Sequence, residues 1–390
     1  MGRLDTLRLL GSGGANRAME AEVKRLAPRA LGRIRLEKPV RFDEQTLVYP
    51  FDADLAWFAV RYLRTPSRVL WDLGETHAER LEPLYDEIRG WYVKKPPRWM
   101  RDGQTFSITV KNAYNFEAGP LQVRGTVKNA LMDAAKAHKM SLTLDPDRPD
   151  VSIVVRGGDE QKLVISVDLG GQSLHARGYR TDYGEAPLKE NLAAQMLMLA
   201  RWDARKEILV DPMCGAGTIA IEGDAMARGA ALWVGNKKPA ASWLPTFAKH
   251  DRAQHELFEG TTAMVFANDQ DDDAIQAARK NAKRAGATIS AHLGDFERLT
   301  RTRIASAVGA DPDTPMLVLT NPPYGERLEL DPDLYAKLNT WWRGLGGGVR
   351  FGMLTEDGNA KMIFGRNPKL EKPLHNGPLK TRLLVYDRPE

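Results

Sequence analysis

From about residue 186 to the C-terminus, short apolar runs alternate with amphipathic stretches. That alternation constrains the fold more than any other feature of the chain. Residues 186–202 read as a helix, 207–211 as a strand, 218–227 as a helix, 264–268 as a strand and 272–285 as a helix. Residues 289–293 and 316–320 read as further strands, 334–342 as a helix, and 349–354 and 380–386 as the last two strands. Strands with almost no polar interruption, each followed by a helix, are what a sheet covered on both faces requires. The expected fold class is α/β, an open doubly wound sheet of Rossmann type.

The first half reads as α+β. Helical periodicity covers 15–26, 54–63, 81–91 and 127–137, and strand-like runs lie around 34–36, 46–48, 69–73, 105–111, 150–155 and 162–169. The texture changes between residues 172 and 186. Charge divides along the same line. Residues 1–180 hold 29 Lys and Arg against 23 Asp and Glu, and residues 181–390 hold 27 against 28. A basic first half suits a polyanionic partner such as nucleic acid. No apolar run reaches the roughly 18 residues of a membrane span, and the start of the chain lacks the pattern of a secretory signal. A cytoplasmic monomer is the expectation. The single cysteine, Cys214, leaves no disulfide framework and no Cys-based zinc site, and the seven histidines are scattered, so no metal is expected.

Two short motifs carry the chemistry. The first, Asp211-Pro212-Met213-Cys214-Gly215-Ala216-Gly217-Thr218, closes one strand and opens the next helix. Its glycines allow a ligand close to the backbone. It lacks the lysine of a nucleotide-triphosphate loop. An acid at the strand end disfavours a pyrophosphate but suits a cationic ligand. S-adenosylmethionine carries a sulfonium and an ammonium, so it is the cofactor expected at Asp211, Met213, Gly215, Gly217 and Thr218. Asp269 ends the second strand, placed to accept from ribose hydroxyls, and Asp295 follows the third, placed to accept from an adenine amine.

The second motif, Asn321-Pro322-Pro323-Tyr324, follows the 316–320 strand at the carboxyl edge, where such sheets bind ligands. An exocyclic base amine is a poor nucleophile because its lone pair is delocalised into the ring. The Asn321 side-chain oxygen and the Pro322 carbonyl can accept its two N–H bonds and return electron density to nitrogen. The prolines stiffen the turn, and Tyr324 can stack on the base. Cys214 lies in the cofactor loop, which argues for methylation of an amine over methylation of a pyrimidine carbon.

With Thr320-Asn321-Pro322-Pro323-Tyr324-Gly325-Glu326-Arg327-Leu328, Arg177-Gly178-Tyr179-Arg180 and Ala186-Pro187-Leu188-Lys189-Glu190-Asn191-Leu192, the chain resembles the bacterial THUMP-domain RNA guanine-N2 methyltransferases, in particular the 23S rRNA group. The resemblance covers about residue 165 to the end. Ala216 and Gly223 stand where relatives often carry Ser and Ala. It implies a class I methyltransferase domain at 173–390, a ferredoxin-like segment at 1–50 and an RNA-binding THUMP domain at 51–172. It also implies N2-methylguanosine as product, in 23S rRNA or, on the same fold, in tRNA. The tetrapeptide also serves N6-adenine methyltransferases acting on DNA and glutamine methyltransferases acting on protein. The stretch 228–260, with Trp233, Trp243 and Phe247, reads as a packing segment rather than part of a base pocket.

Overall fold

The computed structural model describes residues 3–32, 36–76, 78–113, 116–157, 162–180, 188–233, 238–250, 256–323, 333–356, 360–365, 367–377 and 379–387. The first half contains β1 (Arg3–Leu10), α1 (Asn16–Leu31), β2 (Val40–Asp43), β3 (Thr46–Pro50), α2 (Ala53–Tyr62) and β4 (Arg68–Thr76). There follow α3 (Leu81–Gly90), β5 (Gln104–Lys111), α4 (Pro120–Ala137), β6 (Leu142–Leu144), β7 (Val151–Gly157) and β8 (Leu163–Asp168). These eight strands form one sheet in the order β2-β3-β1-β4-β8-β7-β5-β6. The β1-α1-β2-β3-α2-β4 sequence supplies its first four strands, all antiparallel, and β8 joins them to the rest through β4.

The second half contains α5 (Glu190–Leu199), β9 (Ile208–Asp211), α6 (Thr218–Arg228), β10 (Val265–Asp269), α7 (Asp272–Ala285), β11 (Ser290–Leu293) and α8 (Arg301–Ala307). It continues with β12 (Met316–Thr320), α9 (Leu334–Gly344), β13 (Val349–Thr355), α10 (Ala360–Phe364), β14 (Leu370–Asn376) and β15 (Leu379–Tyr386). The sheet order is β11-β10-β9-β12-β13-β15-β14, parallel from β11 to β13, with β15 antiparallel to both β13 and β14. The α/β expectation therefore holds. Successive strand residues enter different cores: Leu209, Ala267, Leu317 and Leu319 pack with α5, α6 and α7. Val210, Phe266, Met316 and Val318 pack with α8, α9 and α10. Both faces are covered, which is why the strands read as unbroken apolar runs. Gly223 lets α6 lie close on β9: a Cβ there would stand 2.4 Å from Leu209 Cδ2.

Some boundaries differ from the sequence reading. Of the run expected as a strand around 34–36, residues 34 and 35 lie outside the described residues and Leu36 is in no strand; the strand that pairs with β3 is Val40–Asp43. The turn after Asp43 decides this: its Oδ1 accepts from Gln45 N (2.6 Å), and the hairpin sets Val40 opposite Val48. The helix expected from 127 begins at Pro120. Proline suits a first helical turn, Gln122 Oε1 accepts from Gly119 N (3.1 Å), and Gly125 is an interior residue. Of the helix expected at 186–202, residues 186 and 187 lie outside the described residues, and the helix seen is Glu190–Leu199.

The described parts of the 228–260 stretch, residues 228–233, 238–250 and 256–260, pack as a strap between the halves. Its Leu232, Trp233, Leu244 and Phe247 belong to the core of the first sheet. Trp233 Nε1 donates to Val60 O (3.1 Å), and Ala241 N to Leu169 O (2.8 Å). The packing role fits these positions, although Trp243 is exposed. No helix among the described residues is long and apolar enough to cross a membrane.

Candidate cofactor and catalytic site

In the second sheet β9 is flanked by β10 on one side and β12 on the other, so chain progression reverses there and leaves a crevice at the carboxyl ends. Ala267 pairs with Asp211 across β10 and β9, and Val318 pairs with Val210 across β12 and β9. That register brings the Asp211 loop, Asp269 and Asn321 to one edge.

The loop after β9 is braced from below. Gly215 and Gly217 take positive φ of 51° and 82°, and a Cβ on Gly217 would stand 3.0 Å from that of Ala278. Side chains with Cβ are strained in that region, and one on Gly217 would also crowd α7. Gly215 N donates to Asp269 Oδ2 (2.8 Å) and Asn281 Nδ2 to Ala216 O (3.2 Å). Asn268 Nδ2 donates to Pro212 O (3.1 Å) and to Gly294 O (2.8 Å), linking the loops after β9 and β11. The bracing residues Asn268 and Asn281 escaped the sequence reading. Asn268, next to Asp269 at a strand end, carried the only visible signal.

Asp211 is buried, and its Oδ1 has no hydrogen-bond partner among the described residues. Burial pushes its carboxyl up to about 8, and the Asp269 carboxylate adds to the rise. Thr320 acts the other way, yet its hydroxyl makes no hydrogen bond of ordinary geometry. Burial also raises Asp269. Two carboxyls held in an unfavourable, partly desolvated state, one with an orphaned oxygen, form a place that a cation would relieve. Thr218 opens α6, and its hydroxyl accepts from Arg180 Nη2 (2.8 Å). Met213 is half-buried against the core on the α9 side.

The remaining expected residues are placed unevenly. Asp295 follows β11, farther from the crevice, where its Oδ1 accepts from Glu297 N (3.0 Å). Phe296 is buried edge-on against Trp341, with ring centroids 5.6 Å apart. Cys214 is buried, and burial followed by the charges of Asp211 and Asp269 raises its thiol well above the ordinary value, so it is no thiolate nucleophile. Asn321 directly follows β12, and its Oδ1 is buried without a partner among the described residues. Pro322 is buried and Pro323 half-buried. Tyr324 lies outside the described residues.

Residues 177–383 match the family described as RMKL-like, methyltransferase domain. Over 366 residues the chain is 36% identical to a ribosomal RNA large subunit methyltransferase K/L from Chromohalobacter salexigens, covering 86% of this chain and 47% of that protein. The chain thus spans about half the length of such relatives. Among solved structures it is similar to a possible methylase from Clostridium difficile 630, at 25% identity and a TM-score of 0.77, covering 99% of this chain and 98% of that one. It is also similar in fold to SMU.472 complexed with SAH, at 21% identity and a TM-score of 0.80 over the whole of both chains.

Proposed function

Because the chain belongs to the RMKL-like methyltransferase family, we propose that it is an S-adenosylmethionine-dependent RNA methyltransferase forming N2-methylguanosine in large-subunit ribosomal RNA. The observation that carries this reading is Asn321 Oδ1, buried and without a partner among the described residues, at the end of β12 beside the Asp211 loop. A buried acceptor left unsatisfied costs about 1–3 kcal/mol, so a donor is expected there when substrate binds. A base amine is such a donor. The half and whole burial of Pro323 and Pro322 hold the turn stiff.

The cofactor fits the loop after β9. Asp211 would face its positive end, Met213, Gly215, Gly217 and Thr218 would line it, Asp269 would meet its ribose and Asp295 its adenine. When bound, S-adenosylmethionine supplies an electrophilic methyl group on a cationic sulfur. The protein's part is positioning: Asn321 and Pro322 orient the amine, and Tyr324 is assigned to the face of the base. The target nucleotide leaves its stack to enter. The first half, residues 1–172, is assigned to RNA docking, as a ferredoxin-like segment followed by a THUMP domain. Its basic excess supports that assignment.

The test is transfer of labelled methyl groups to unmodified total RNA and to DNA, followed by nucleoside digestion. N2-methylguanosine in large ribosomal RNA is the expected product. The same nucleoside in tRNA would move the substrate, and N6-methyladenine, or label confined to DNA or protein, would overturn the reading.

Cofactor affinity should depend on pH through Asp211. In the free protein its carboxyl is mostly protonated below about 8, and a cationic ligand favours the ionised form. Binding therefore releases a proton in that range. Calorimetry should show affinity rising between pH 6 and 8, by at most about tenfold per unit, and levelling above. Asp211→Asn should bind weakly and without that slope. A wild-type affinity flat from pH 6 to 9 would remove Asp211 from the site.

A further inference from the structure

A 310 Å³ cavity lies where the first sheet, α5 and the β14–β15 hairpin meet, and none of the Asp211 loop residues lines it. Its lining includes Ser12, Ser67, His175, Lys189, Asn191 and His375, and no carboxylate side chain among the described residues. The hairpin that closes it runs past Thr355, the last residue of β13, because Thr355 pairs with Arg382 and the hairpin continues to Asn376 and Leu379. The cavity therefore opens on the same edge of the sheet as Asn321.

Its chemistry is divided. Lys189 is exposed and immediately precedes the ten-residue α5, whose N-terminus has no side-chain cap. A cation and a helix N-terminus together favour an anion. Burial, then the charges of Lys189, Arg177, Arg180 and Arg68, depress His175 to about 4, which records a positive field at this wall. The other half of the lining accepts. Asn191 is 3% exposed, and its Oδ1 has no hydrogen-bond partner among the described residues. The hydroxyl protons of Ser12 and Ser67 are committed to Gln195 Oε1 and to Leu10 O, which leaves their lone pairs. A ligand here needs an anionic group and a hydroxyl donor together, and the volume admits one nucleotide.

We propose that this cavity holds one ribonucleotide unit of the substrate strand, its phosphate against Lys189 and the N-terminus of α5, its 2′-hydroxyl donating to Asn191 Oδ1. This rests on the reading of RNA as substrate. The site would distinguish RNA from DNA at a nucleotide flanking the one that enters the catalytic crevice.

The test is titration of the full chain with uridine 3′,5′-bisphosphate and with its 2′-deoxy analogue, following the His175 and His375 imidazole signals by NMR. The ribose form should shift both signals saturably and bind more tightly than the deoxy form. Lys189→Gln, at an exposed position, should weaken binding by about tenfold or more. Asn191→Leu, which keeps the side-chain size and removes the acceptor, should erase the preference for the ribose form over the deoxy form. Unmoved imidazole signals at millimolar ligand, equal affinity for the two forms, or indifference to Lys189→Gln would each overturn the proposal. The titration needs no turnover, so the cavity can fail while methyl transfer to RNA stands, and the reverse.

Discussion

Replacing Asn321 by alanine is expected to lower methyl transfer by about 10²–10³-fold or more while cofactor affinity stays within about twofold, the scale on which one positioned polar group at a reacting atom acts. The residue directly follows β12, and its side-chain oxygen is buried and has no partner among the described residues. Nothing in the described structure therefore depends on that oxygen, and its loss should not disturb the fold. The bracing bonds of the cofactor loop run through Asn268, Asn281 and Asp269 and do not include it. Single-turnover rates and cofactor calorimetry on one preparation separate the two effects. Asn321→Asp keeps an acceptor oxygen in the same place and should retain more activity than the alanine variant. If cofactor affinity fell in step with the rate, Asn321 would belong to the cofactor pocket and the assignment of the amine would be lost.

What could be read ahead of the structure follows from where each signal lives. β9, β10 and β12 were legible because both faces are buried, so their residues are apolar without interruption. The turn after β9 was legible because its glycines and terminal acid answer a local backbone demand. β1 and β14 were not. β1 is polar on one side, with Leu7 and Leu9 its only fully buried leucines, and β14 is an edge strand carrying Glu371, Lys372 and Pro373. Each is a strand because of its partners, and pairing partners are remote in sequence. α8 is short and buries only Ile304 and Ala305, too little for a period to emerge. The strap around Trp233 and Phe247 was recognisable as apolar, yet nothing local told that its core was the sheet built from residues 3–168. The same limit applied to the candidate site. Asp211 and Asn321 could be placed at strand ends, but the neighbouring oxygens of Asn268 and Thr320, without partners among the described residues, emerged only from the packed loops.

Partners remote in sequence also build the buried cluster that joins the halves, and there the largest stability effect is expected. Glu222 on α6 is fully buried, with Arg64 Nη1 at 3.0 Å, Arg177 Nε at 3.4 Å and the Tyr179 hydroxyl at 3.2 Å. Arg64 follows α2 of the first half and also donates to Ala230 O, while Arg177 Nη2 donates to Arg64 O (2.6 Å). Burial alone would raise the Glu222 carboxyl. The charges of Arg177 and Arg64 outweigh it and hold the group below its ordinary value. Glu222→Ala would leave two guanidinium groups buried without their counterion, which costs about 3–5 kcal/mol. Denaturation followed by tryptophan fluorescence should show that loss. Tyr179→Phe removes one hydrogen bond to the same carboxylate and should cost about 1.5–3 kcal/mol. Because the folded carboxyl is depressed, its contribution is present above the ordinary carboxylate range and is lost as pH falls through the folded value. The gap between wild type and Glu222→Ala should therefore be widest near neutrality and narrow in acid. A gap of less than about 1 kcal/mol at pH 7 would mean that the apolar strap, and not the ion cluster, holds the first half against the second.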